Sequence, residues 1–134
     1  ECVRILSENN IICAGLFIVH QDMDKKDFKD LYKWIASRPI IPTVSVFTPM
    51  QGAANYKEYE KNLVSKDIRK QDLFHCILKP KHMSVFAFTM QYYKMSMKLA
   101  FHNRKAELYK TIGIKDFLFV IKTLCIQFRR IFIL

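Results

Sequence analysis

Residues 11–19, IICAGLFIV, are an unbroken run without a charged side chain, and little else constrains the fold as strongly. A short apolar run rich in branched residues predicts a strand buried on both faces. HQDMD follows, with Asp22 or Asp24 placed to cap a helix. KKDFKDLYKWIA then carries Phe28, Leu31, Tyr32 and Ile35 at helical spacing. Pro39 and Pro42 are expected to close that helix, and TVSVFT, residues 43–48, reads as a second strand. ECVRILSENN before the first run has the pattern of a short helix ending at Asn9-Asn10. The order helix, strand, helix, strand is that of a parallel α/β sheet.

In such sheets ligands bind beyond the carboxyl ends of the strands, where the βα loops gather. The stretch after TVSVFT is one such end. The chain has only three glycines and four prolines, yet Pro49 and Gly52 fall together there. Pro49 lacks an N–H and ends the strand; Gly52 permits a tight turn. Taken alone, the pair marks a strand end before it marks a site.

Beyond Gly52, AANYKEYEKNLV has a helical pattern, SKDIRKQD is a polar link, and LFHCIL is a further short apolar run ending at Lys79-Pro80. Phe86, Met90, Tyr93, Met97 and Phe101 recur every three or four residues, which predicts the core-facing side of a helix. HNRKAELYKTIG continues that helix in more polar form, with Gly113 as its cap. In residues 114–134, Lys115, Lys122 and Arg129 recur every seven positions beside a wide apolar arc. Charge interrupts this segment too often for a membrane span. It can either pack on the rest of the protein or lie in an anionic membrane interface.

At 134 residues the chain is long enough for one well-packed core. It opens on Glu1 with no charged-then-apolar leader, so no signal peptide is expected, and an excised or processed piece of a longer protein is. Cys2, Cys13, Cys76 and Cys125 show no CxxC or similar spacing. They could pair in three ways, but reduced, mostly buried thiols in a cytoplasmic protein are expected, and no metal site. His20, His75, His82 and His102 lack metal-ligand spacing. The net charge is +10, and it is uneven: residues 79–134 hold eleven basic side chains against Glu107 and Asp116. Such a half suits an anionic surface as neighbour or a solvated cationic face. Cations and aromatics in residues 86–110 fall on different helical faces, so no base-stacking platform and no nucleic-acid partner are expected.

Three segments in order, FIVHQDMDKKDFKDLYKWI, SVFTPMQGAANYKEY and DLFHCILKPKHMSVFAF, resemble the C-terminal half of a radical S-adenosylmethionine (SAM) enzyme. The branch they are most similar to carries a cobalamin-binding domain and includes hopanoid-modifying enzymes. The resemblance covers about residues 3–100. It implies an α/β fold that is the end of a partial (β/α) barrel, two to three strands over residues 1–80, followed by a basic helical region over 81–134. It further implies that backbone at Ile18, Val19 and His20 lies near the adenine of SAM, that Thr48 and Pro49 face the barrel mouth, and that His75 with Asp72 matches the family's D-x-x-H segment.

SAM, a [4Fe–4S] cluster and, in this branch, cobalamin are the implied cofactors, and a small molecule or lipid the implied substrate. Gln51 and Ala53 depart from the family's usual turn, and Leu16 and His20 from its glycine-rich strand motif. The C-x-x-x-C-x-x-C that holds the cluster is absent, so these residues alone are expected to complete a SAM pocket and cover the substrate without being active. The alternative from a different class is a non-enzymatic basic helical module that docks on an anionic membrane surface or nucleic acid.

Overall fold

The computed structural model describes residues 1–105 and Lys122. The expectations for Gly113 and for a basic interfacial helix over 114–134 lie outside the described residues. Helix α1 (Cys2–Glu8) leads into strand β1 (Cys13–Val19); α2 (Lys25–Ala36) then crosses to β2 (Ile40–Val46), and α4 (Val85–Lys105) follows a long irregular stretch that contains the single turn α3 (Tyr56–Tyr59). The two strands pair in parallel with Cys13 opposite Ile40 and Val19 opposite Val46. The α/β reading therefore holds as a small two-stranded parallel sheet with helices.

Asp24 starts α2. Its carboxylate accepts from the N–H groups of Lys26 and Asp27 at 2.7 and 2.9 Å, while Asp27 Oδ2 accepts from the Asp24 N–H at 2.8 Å. These reciprocal bonds satisfy donors that a helix start leaves unpaired. Phe28 and Ile35 then project onto the sheet and are almost fully buried. At the other end Arg38 lies 3.7 Å over the Trp34 ring and donates to its carbonyl, occupying an acceptor the last turn cannot pair.

The core is one cluster drawn from β1, β2, α2 and α4: Val19, Phe28, Ile35, Ile40, Val46, Phe88, Tyr92, Tyr93, Met95 and Leu99. Phe28 and Phe88 meet edge to face at 5.2 Å where α2 crosses α4. Each such side chain stabilises the fold by roughly 1.5–3 kcal/mol through burial.

Several expectations need correction. The first strand begins at Cys13, with Ile11 and Ile12 exposed ahead of it. It is also buried on one face only: Cys13, Phe17 and Val19 face the helices, but Leu16 is 81% and Ile18 65% exposed. A continuous apolar run hides this alternation, because both faces carry the same residue types. The second strand begins at Ile40 and ends at Val46, and so takes in Pro42.

Pro42 fits because of the register. Phe47 N–H donates to Val19 O at 2.8 Å, so odd positions of β2 face β1 and even positions face away. The missing N–H of Pro42 thus falls on the outer edge, where prolines are tolerated. Elsewhere that edge is sealed: Ile40 N–H donates to Arg38 O, Val46 N–H to Leu73 O at 2.6 Å, and Tyr92 Oη to Val44 O at 2.9 Å. Val44 and Val46 face the helices, whereas Phe47 points to the opposite side, as the alternation predicts.

The helix predicted over 53–64 shrinks to α3 and a 3-10 turn at Glu60–Asn62. The run 73–78 is not a regular strand; Leu78 makes one antiparallel bridge with Leu63, and Ile77 and Leu78 are buried. On α4 the predicted stripe is offset. Phe86, Met90 and Phe101 are exposed, and Phe88, Tyr92, Met95 and Leu99 form the buried side, with only Tyr93 shared. Apolar residues surround most of this helix, so spacing alone does not choose between neighbouring stripes.

Candidate functional site

The carboxyl ends of β1 and β2 are brought together by the parallel register, which sets His20 beside Phe47. Their rings meet at 4.7 Å, tilted by 46°, and Phe47 in turn meets Tyr59 edge to face at 5.1 Å. Asp22 lies between Lys81 Nζ at 2.9 Å and His20 Nδ1 at 3.4 Å. The hydrogen bond from Lys81 holds the Asp22 carboxyl below the usual carboxylate range. Lys81 N–H also donates to Gln21 O at 3.0 Å, which ties the approach to α4 to the end of β1.

After β2, Thr48 and Pro49 turn inward and are buried. Thr48 Oγ1 donates to Val46 O at 3.1 Å, so its hydroxyl is already engaged by its own chain. Gly52 has φ +87°, the left-handed conformation that glycine adopts at least cost, and no atom approaches its Cβ position within 4 Å. The glycine therefore serves the turn and not a close contact. Gln51 N–H donates to Gln71 Oε1 at 3.2 Å, joining this loop to the one before His75.

In that loop Asp72 accepts from the N–H groups of Phe74 and His75 at 2.9 and 3.0 Å and contacts His75 Nδ1 at 2.8 Å. Burial by itself raises the Asp72 pKa; the bond from His75 and the two backbone N–H groups outweigh it and leave the carboxyl below its ordinary value. Leu73 between them has φ +67°, a left-handed geometry unusual for a branched side chain.

The predicted site residues are thus partly assembled. His20, Thr48 and Pro49 share one end of the sheet. Ile18 presents its side chain to the open face, and by register its N–H and C=O lie on the unpaired edge of β1. Val19 is fully buried among the helices and its C=O accepts from the Phe47 N–H at 2.8 Å, so neither its side chain nor its carbonyl is open to a ligand. Sequence reasoning missed Gln21 and Gln71. The buried Gln21 Oε1 and Gln71 Nε2 have no hydrogen-bond partner among the described residues, and nothing in the residue pattern singles them out. Such orphans are costly unless a ligand or water satisfies them.

The three described cysteines do not assemble. Cys2 is exposed on α1, Cys13 starts β1, and Cys76 is half-buried with its thiol pushed up to about 12 by burial. No group of three or more metal-binding side chains occurs among the described residues. No helix among them is long and apolar enough to cross a membrane. No protein-family model, curated protein or solved structure matches the chain.

Proposed function

We propose that these residues form the closing βα units of a radical SAM enzyme's partial barrel, where they complete the SAM pocket and cover a small-molecule or lipid substrate. The observation that carries the reading is the half-covered sheet. Parallel sheets are ordinarily buried on both faces, and two strands alone are marginal. Here helices cover one face, the other exposes Leu16 and Ile18, and the β1 edge is unpaired among the described residues. Further strands beside β1 would bury that face and turn the strand ends with His20, Gln21, Thr48 and Pro49 toward a common mouth.

The residues present fit SAM through the free backbone at Ile18 and the orphaned Gln21 Oε1, which can accept from an exocyclic amine. The described residues do not fit an iron–sulfur cluster, since Cys2 lies on α1, Cys13 on β1 and Cys76 in the irregular stretch before α4. The cluster, and any cobalamin, must be held by other residues of the enzyme, and no electron-transfer step is assigned to these ones. Their part is to bind and orient SAM and to exclude water.

Gln21→Leu tests the reading in the protein translated from the complete reading frame. Removing a buried orphan should leave thermal stability equal or higher, yet weaken SAM binding about ten-fold, the worth of one buried hydrogen bond. Unchanged SAM affinity would remove Gln21 from the pocket and leave the proposal without its polar contact.

A further inference from the structure

Helices α2 and α4 enclose a groove of about 240 Å³ lined by Lys25, Lys29, Lys94 and Lys98 over a floor that includes Phe28, Tyr32 and Met95. Each helix contributes two lysines at i and i+4, a spacing at which like charges destabilise a helix. Among the described residues no carboxylate lines the groove, and none of these four lysines forms an ion pair. Helix α4 has no acidic residue at all along Val85–Lys105. On α2 the carboxylate of Asp27 is committed to the helix cap. Lys98 reaches across from α4 and sits 5.5 Å from the Tyr32 ring of α2, which holds one ammonium over the floor.

We propose that this groove is a binding site for a phosphate-bearing anion, with the phosphate among the four ammonium groups and any apolar body on Phe28, Tyr32 and Met95. The groove shares no lining residue with the site at the strand ends and does not rest on the radical SAM reading. Converging cations over low-dielectric walls concentrate an anion of that size more strongly than dispersed surface lysines do. A soluble phosphate ester and a phospholipid headgroup offer the same chemistry.

Both sources are tested on the full 134-residue chain. Inorganic pyrophosphate is titrated calorimetrically, and vesicles of phosphatidylcholine with or without phosphatidylglycerol are sedimented with the protein. Each probe is repeated at 50 and 200 mM salt. The variants are Lys94→Gln with Lys98→Gln, and as a control of equal charge Lys26→Gln with Lys33→Gln, which lie outside the groove. Circular dichroism verifies that both pairs fold. Binding of either probe that weakens about ten-fold or more in the groove pair, and much less in the control pair, supports the site. Pyrophosphate binding identifies a soluble ester, and binding to phosphatidylglycerol vesicles alone a headgroup. Equal weakening in both pairs would assign the effect to the general positive field and overturn the proposal, as would no binding of either probe.

Discussion

Tyr92→Phe isolates one atom on which the sheet's outer edge depends. The Tyr92 ring is 4% exposed and packs in the core, so phenylalanine keeps its shape and nearly all of its contacts. What is lost is the hydroxyl that donates to Val44 O at 2.9 Å. That carbonyl points away from β1, and no strand among the described residues covers it. Removing the donor forfeits a hydrogen bond worth about 1 kcal/mol and leaves a half-buried carbonyl short of a partner, so the total loss is about 2 kcal/mol. With a urea slope of about 2 kcal/mol/M, the unfolding midpoint should fall by about 1 M with the slope unchanged. A shift under about 0.3 M would mean that water replaces the hydroxyl and that α4 does not seal this edge.

Other expectations follow from single residues. Gly52→Ala should cost about 1 kcal/mol through backbone conformation alone, since nothing contacts the site, whereas Leu73→Asn, at φ +67°, should raise the melting temperature; a harmless Gly52→Ala would refute the left-handed turn. At pH 8 iodoacetamide should label exposed Cys2 well before Cys76, whose thiol titrates near 12, and mass spectrometry showing the reverse order would contradict the burial of Cys76. The Asp72 pKa is lowered in the folded state, so its contribution is present above the ordinary carboxylate value of 3.8 and is lost as pH falls through the folded value. The stability advantage of wild type over Asp72→Asn should therefore be constant near neutral pH and shrink below about pH 4. An advantage that grew on acidification would give Asp72 the opposite sign.

The local signals that proved legible were those fixed by near neighbours. The Asp24 cap, the α2 face of Phe28 and Ile35, and the Gly52 turn depend on a few adjacent residues and stand as the sequence predicts. The misplaced features depend on distant ones. Whether Leu16 and Ile18 are covered is decided by which elements lie on that face, and residue type carries no record of it. Pro42 is acceptable in β2 only because the parallel register turns position 42 to the edge, and that register is set by pairing with β1. On α4 the side bearing Phe88 and Tyr92 wins over that of Phe86 and Met90 because Tyr92 reaches Val44 and Phe88 meets Phe28. Of the site, His20, Thr48, Pro49 and the Asp72–His75 pair were visible as residues at strand ends or in a motif. Gln21, Gln71 and Lys81 acquire meaning only from three-dimensional neighbours 20 or more residues away.

The central claim is that the strand ends at His20 and Thr48 belong to a SAM pocket. The direct measurement is anaerobic turnover by the protein translated from the complete reading frame, reconstituted with iron and sulfide, reduced with dithionite and supplied with SAM. The account predicts 5′-deoxyadenosine and methionine in equal amounts, with a higher KM for SAM in Gln21→Leu at unchanged cluster content. A protein that forms no cluster and releases no 5′-deoxyadenosine would contradict it.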